Sequence, residues 1–343
     1  MKKRTINILF FLIIISSCLF AKSKKTRVNY PIWINEPYSS YQTGYFVAVG
    51  NDKTKNIAEL NAVSELAGIF SRDVKSNTVA NSTMTQIEED NISSLISEQN
   101  LNQQITVSID QRNLIGIEII ETFFDDNKEQ WYALAVLDKQ KAEKNYSKEI
   151  ESSYKNINQN YNEAKIKTNN FDKLCYLYKC KKEAQYVQSL IVRLQVINFE
   201  AAESIQRTDI SENKFSIDFN NIANKTPISI QVNNDLNNEI KIACSDVLES
   251  YGFKIQDRAS NVLTVDLVNN FRTVYDPDAV YCESNIAMNL KLSGDQIVFP
   301  FNYTNRAAGK NQELAQKKEY SNLSTIIKTE YKNLIENILL LFI

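Results

Sequence analysis

The sequence contains no histidine. That absence removes the commonest general base, the commonest metal ligand and every Ser-His or Cys-His catalytic pairing. Lysine-dependent or carboxylate-only chemistry passes the filter, but most familiar hydrolase designs do not. Glycine (7) and proline (5) are scarce in a chain of 343 residues, so long regular elements with few tight turns are expected. No dinucleotide fingerprint, Walker loop or nucleophile elbow occurs, which leaves nucleotide use and serine hydrolysis without support. A basic excess is missing too. The formal charge is −2 and becomes more negative once Lys2, Lys3 and Arg4 leave with a leader, so there is no electrostatic footprint for nucleic acid. What is present is 43% hydrophobic and 23% charged residues with 17 Tyr and 16 Phe, the composition of a globular protein with an aromatic core. The length suits two compact domains and a connecting element.

Residues 1–21 read as a signal peptide. Lys2, Lys3 and Arg4 form a basic n-region, and Ile6 to Ile15 is apolar apart from Asn7. Such a run is too short to span a bilayer and right for an h-region. Ile15-Ser16-Ser17-Cys18 has the form of a bacterial lipobox, an aliphatic residue and two small ones before the cysteine that receives lipid. Cleavage after Ala21 is the competing processing site. Acylation of Cys18, with several chains at about 0.8 kcal/mol per buried methylene, would hold the protein stably at a membrane. Lys22, Lys24, Lys25 and Arg27 then form a short basic tether, read as a solvated linker.

A first domain is expected over residues 28–140. Pro31-Ile32-Trp33 opens an extended segment, and Tyr45-Phe46-Val47-Ala48-Val49 is a buried strand closed by Gly50. Asn51-Asp52-Lys53-Thr54 offers turn and N-cap chemistry. Ala58, Ala62, Leu66, Ile69 and Phe70 then mark one face of a helix whose small alanines let it lie close on a sheet. Residues 76–104 read as a polar helix or strand extension, in which Glu88-Glu89-Asp90 is a solvated face in preference to a cation site. Ile105 to Ile109 alternates as a strand and Leu114 to Ile120 continues as another segment. After the turn Asp125-Asp126-Asn127, Trp131 to Leu137 returns as a hairpin arm. Pro31-x-Trp33, the Tyr45–Val49 strand with Gly50, the alanine-faced helix and the hairpin ending Tyr132-Ala133-Leu134-Ala135 together resemble the Lpp-twenty lipoprotein family. The same domain type is similar to the amino-terminal part of a flagellar assembly protein of bacterial outer membranes. The resemblance implies an outer-membrane-associated lipoprotein without assigned enzymatic activity, and it transfers no catalytic residue.

Residues 141–206 are expected to form a helical hairpin spacer. Ala142, Tyr146, Ile150, Tyr154, Ile157, Tyr161 and Ala164 step by three or four, Thr168-Asn169-Asn170 breaks the helix, and Leu174 to Ile197 continues on a second one. The tyrosine stripe is either core packing, the preferred reading, or a partner- or glycan-stacking surface. Residues 210–343 should form a second α+β domain. Strands are expected at Phe215–Phe219, Ile228–Val232, Phe253–Ile255, Val262–Val268, Ile286–Leu292 and Ile297–Phe299, the last two joined by the turn Ser293-Gly294-Asp295. Helices are expected near Ile240–Leu248, with Gly252 as the left-handed C′ residue, and over Asn311–Leu341. Ile338 to Ile343 should bury against the sheet. Asp276-Pro277-Asp278 with Glu283 lacks the ligand series of a calcium loop and reads as a turn. Cys175, Cys180, Cys244 and Cys282 allow three disulfide pairings that sequence does not choose between, and their spacing fits no zinc site.

The fold class is therefore α+β: a small α/β sandwich domain, a helical hairpin spacer and a second α+β sandwich domain. The expected function is that of an exported, lipid-anchored, non-catalytic scaffold or interaction module on the periplasmic face of the outer membrane, with Cys18 as the lipidation site and no cofactor or metal. Its partners would be the membrane and an envelope protein or the cell wall. The alternative is a soluble periplasmic module that binds a small ligand or peptide.

Overall fold

The computed structural model describes residues 29–39, 41, 43–88, 114–235, 237–273, 279–292 and 296–341. The expected leader, the expected strand at Ile105–Ile109 and the expected turn at 293–295 lie outside them. The chain divides into two units, with the boundary between Asn145 and Tyr146.

In the first unit, β1 (Tyr45–Asp52), β2 (Ile117–Asp125) and β3 (Gln130–Asp138) form an antiparallel sheet in the order β1-β3-β2. Short helix α1 (Ile32–Asn35) precedes β1, and α2 (Lys55–Glu88) follows it. The expected strand and hairpin are therefore present, although β1 continues through Gly50 to Asp52. Helix α2 starts at Thr54, whose backbone N–H is held by Asp52 Oδ1 at 3.1 Å and whose carbonyl accepts from Ala58. Ala58, Ala62, Leu66, Phe70 and Val74 recur every fourth residue, and each is at most 1% exposed. They form one stripe against the sheet. Strand alternation then sorts β1 between two faces. Phe46, whose ring meets Phe70 edge-on at 5.5 Å, faces α2 with Gly50. Val47 and Val49 face the other way and pack with Trp33, Tyr132, Leu134 and Val136.

Helix α3 (Lys139–Ile166) continues directly from β3. The second unit then contains α4 (Asn170–Ile197), α5 (Phe199–Ile205), α6 (Glu212–Asn224), β4 (Ile228–Val232), α7 (Glu239–Ser250), β5 (Asn261–Thr273), β6 (Val280–Leu292), β7 (Gln296–Gly309), α8 (Gln312–Ile326), a π-helical turn (Ile327–Tyr331) and α9 (Lys332–Leu341). Its sheet has the order β4-β5-β6-β7. Strand β4 is parallel to β5, with α7 as the crossover, and the other pairs are antiparallel. Helices α3 and α4 are antiparallel neighbours, joined where the Cys180 thiol donates to the Ile157 carbonyl. The hairpin is not separate from the C-terminal sheet and helices: Ala164, Phe171, Leu174 and Leu177 share one core with Phe219, Val247, Leu263 and Tyr331. On the opposite sheet face Asp266, Asn285, Lys291, Asn302 and Thr304 are exposed, the usual partition of a one-sided sheet.

In the first unit, Pro31-Ile32-Trp33 leads into helix α1 where the sequence predicts an extended segment, and three further expectations are corrected in the second unit. Phe215–Phe219 lies in helix α6, which begins at Ser211, whose hydroxyl accepts from the Lys214 N–H at 3.2 Å. Phe215 and Phe219 are buried one turn apart while Ile217 is 52% exposed, so the helical period prevails over the two-residue alternation. Phe253–Ile255 makes only an isolated bridge from Ile255 to Ile228. Here Gly252, at φ 79°, closes α7 and delivers Phe253 into the core. At the C-terminus, Leu339 is buried but Leu341 is 81% exposed, because α9 is amphipathic and only one side of it meets the core. The π turn explains why the long C-terminal helix keeps its register: Ile327 and Tyr331 both remain fully buried across it. In β7, a bulge opposite Met288–Leu290 places Phe299 at φ 53°. This conformation strains a bulky residue but turns both Val298 and Phe299 inward, where Phe299 meets Phe171 at 5.5 Å.

No disulfide joins Cys175, Cys180, Cys244 and Cys282. All four are buried free thiols, and burial pushes Cys175, Cys180 and Cys244 up to about 12. The native protein at pH 8 should therefore leave these four thiols unmodified by an aromatic disulfide reagent for hours, and unfolding in guanidinium should release all of them to it at once. Stoichiometric labelling of the folded protein would contradict their placement.

Candidate functional site

The first unit holds a hydrogen-bonded clamp where the described chain begins. The Tyr30 hydroxyl donates to Asp125 Oδ2 at 2.5 Å, and Asp125 Oδ1 accepts from the backbone N–H groups of Asn127 and Lys128 at 2.9 and 3.3 Å. Asp125 is fully buried. The Tyr30 hydrogen bond, helped by the two turn amides, holds its carboxyl below the usual carboxylate range. The Lys128 ammonium lies 5.0 Å from the Tyr30 ring centre and donates to the Tyr132 hydroxyl at 3.2 Å. Nearby, Trp33 Nε1 donates to Glu121 Oε2 at 2.7 Å. Tyr30 and Trp33 are thus pinned to β2 of the sheet. Sequence assigns Asp125 to a turn, which it does start. Its bond to a tyrosine 95 positions away has no local signal.

At the opposite end of the sheet, where β1 begins and β3 ends, lies a groove of about 580 Å³ lined by Tyr38, Tyr41, Tyr45, Phe46, Asp73 and Lys139, with Thr43 and Ile69. Three segments build it. Edge strand β1 starts there with Tyr45 and Phe46, α2 contributes Asp73, and Lys139 follows β3, its N–H donating to the Gly44 carbonyl at 3.0 Å. Tyr41 and Tyr45 meet edge-on at 5.5 Å, and the Lys139 ammonium sits 4.5 Å from the centre of Phe46. Burial, with lesser contributions from Glu121 and Tyr45, raises the Tyr41 hydroxyl, which stays protonated as a donor. Tyr38 is 52% exposed, so its ring is available for stacking. The arrangement offers aromatic faces, one amine, one carboxylate and hydroxyl groups. This is the chemistry of adhesion to an amphipathic ligand. Nothing in it is arranged as a nucleophile with its base. The second unit carries smaller grooves of about 310 and 240 Å³.

Of the other residues singled out by sequence, Cys18, Glu89, Asp90, Asp276 and Asp278 lie outside the described residues. Glu283 faces Arg272 at 3.9 Å. Among the described residues no group of three or more Cys, Asp or Glu side chains is placed to hold a metal, and no helix is long and apolar enough to cross a membrane. In the tyrosine stripe, Tyr146 and Tyr154 are buried and Tyr161 donates to Asp218 at 2.9 Å, which is core packing. The groove was not legible as a site, since its lining spans positions 38 to 139.

Residues 31–138 match the LPP20 lipoprotein family, the same stretch that forms the sheet and helix of the first unit. No curated protein matches the chain. The secreted protein HP1454 from Helicobacter pylori is similar in structure at 14% identity and a TM-score of 0.44, over 84% of this chain and 98% of that one. A minor lipoprotein from Acinetobacter baumannii gives 11% and 0.24, over 33% and 90%. The rare lipoprotein B from Shewanella oneidensis gives 13% and 0.23, over 33% and 92%.

Proposed function

We propose, starting from an LPP20 lipoprotein domain over residues 31–138, that the protein is exported, anchored to the periplasmic face of the outer membrane through lipid on Cys18, and acts there as a non-catalytic interaction module. The observation that carries this reading is the meeting of a lipoprotein-family domain with a lipobox, Ile15 to Cys18, placed directly at the end of the leader's apolar run. Tyr30 lies twelve positions after Cys18, a reach of at most about 40 Å. The Tyr30–Asp125 clamp would pass tension from that tether into the sheet instead of letting it peel α1 away. The absence of histidine from the chain supports a binding role over catalysis, and the aromatic groove where β1 begins is the surface offered to an envelope protein or the cell wall.

The test is the mass of the mature amino terminus in the native host beside a Cys18→Ala variant. A diacyl or triacyl mass on Cys18, with release of the variant from the membrane fraction, is the expected result. An unmodified start at Lys22 would sink the anchor. It would favour the second reading, a soluble periplasmic binding module, for which the aromatic groove of about 580 Å³ is the specific observation.

A further inference from the structure

Beneath α8 the apolar core of the second unit gives way to a buried polar layer. Asn269, Ser284 and Asn305 are register partners on β5, β6 and β7. Ser284 Oγ donates to Asn269 Oδ1 at 2.7 Å. Asn269 Nδ2 and Gln316 Nε2 donate to the Tyr320 hydroxyl at 2.7 and 3.0 Å, and that hydroxyl donates to the Asn234 carbonyl at 2.7 Å. Glu319, on α8, enters the same layer and is fully buried. Its Oε2 accepts from Asn305 Nδ2 at 3.1 Å, while Oε1 has no partner. Among the described residues no lysine or arginine pairs with it.

The charged groups around α8 do not compensate. On α8 itself Glu313, Lys317 and Lys318 are exposed. Glu283 on β6 and Arg306 on β7 are one residue away from Ser284 and Asn305 and so point to the opposite sheet face. Tyr281 on β6 and Arg272 and Asp266 on β5 share that face. Tyr303, on the inner face of β7, stacks on Phe301. On α7, Asp246 is held by Lys328 of the π turn at 2.7 Å, and Cys244 is a buried thiol. Asp235, before α7, accepts from the Lys241 N–H. Cys282, the titratable group beside Glu319 on β6, is a buried thiol that burial keeps neutral.

We propose that Glu319 is a proton-operated latch: its protonated carboxyl lets α8 close on the sheet, and its ionisation loosens that closure. An anion sealed with one amide donor and no cation is costly. A neutral carboxyl places its proton on the otherwise unpartnered Oε1 and carries no such penalty. Burial raises Glu319 to about 7 from 4.5, against the pull of Asn305. An acid raised on folding is stabilised in its protonated form, so the contribution is complete below about 4.5 and is lost as pH rises through about 7. A difference of this size corresponds to roughly 300-fold in the closing equilibrium.

The experiment is hydrogen exchange of α8 amides in the full chain from pH 6 to pH 8, corrected for intrinsic rates, for the unmutated protein and Glu319→Gln. Protection of α8 should fall roughly tenfold over that range in the unmutated chain, and Glu319→Gln should be flat and better protected at pH 8. A flat unmutated profile, or the same slope in Glu319→Gln, overturns the latch. The carboxyl ¹³C shift of Glu319 in the unmutated chain decides independently of whether the variant folds. A midpoint near 7 supports the proposal and one near 4.5 overturns it.

Discussion

Gly50→Val should unfold the first unit and leave the second folded. Gly50 sits in β1 where α2 crosses it. A Cβ there would lie 2.0 Å from the Ala62 nitrogen, 2.5 Å from the Ala58 carbonyl oxygen and 2.6 Å from the Asn61 carbonyl carbon. All three are helix backbone, so no side-chain rotation can give way. The helix would have to retreat by about 1 Å or more to restore van der Waals contact. That retreat also lifts Leu66, Phe70 and Val74 out of a stripe in which none is more than 1% exposed. Overpacking of well-packed sites costs about 1–3 kcal/mol where neighbours can move. Here they cannot, and a small domain's whole stability is only about 5–10 kcal/mol. Gly50→Ala should already cost about 3 kcal/mol or more, and valine's branched side chain more again. The readout is unambiguous because both tryptophans, Trp33 and Trp131, belong to the first unit. Their emission should shift to that of solvated indole at 25 °C while far-UV ellipticity keeps the second unit's helices. Native emission and an unchanged melting curve in Gly50→Val would refute the close crossing.

That crossing also shows what a sequence exposes and what it conceals. The four-residue recurrence from Ala58 to Phe70 is local, and small residues on a helix face announce a close neighbour, so α2 and its approach to β1 are readable. The β2–β3 hairpin is readable for the same reason, because its turn chemistry at Asp125-Asp126-Asn127 adjoins both arms. Phe215–Phe219 misleads because a five-residue window satisfies both periods at its ends. Only Ala223, buried two turns after Phe215, decides for a helix. The spacer misleads differently. The helical seams of α3 and α4 are visible, but their sharing a core with Phe219 and Leu263 depends on partners dozens of positions away. The candidate sites are the least legible. The groove joins Tyr38 to Lys139 through the fold, and Glu319, next to Lys317 and Lys318, reads as part of a solvated charged face until Asn305 is seen beneath it.

The same device recurs at the end of β7, where Gly309→Val should produce the reciprocal result. A Cβ on Gly309 would lie 2.3 Å from the Ala315 nitrogen and 2.7 Å from the Leu314 carbonyl carbon, again backbone. Only Lys310 and Asn311 separate the strand from α8, and Asn311 Oδ1 caps the helix by accepting from the Leu314 N–H at 2.9 Å. The first turn of α8 therefore cannot swing clear without losing its cap. Displacing it withdraws Ala315, Glu319 and Leu323, spaced one turn apart and all fully buried, together with the Asn305–Glu319 bond. Tryptophan emission should stay native because the first unit is untouched, while tyrosine near-UV ellipticity collapses and far-UV helical signal falls. Gly309→Ala should be intermediate. Because Glu319 becomes hydrated when α8 lifts, its carboxyl should return to the ordinary range, and the pH dependence of α8 exchange between pH 6 and 8 should disappear with the closure. Retention of that pH dependence in a Gly309→Val protein with a loosened α8 would mean that the proton is held somewhere other than Glu319.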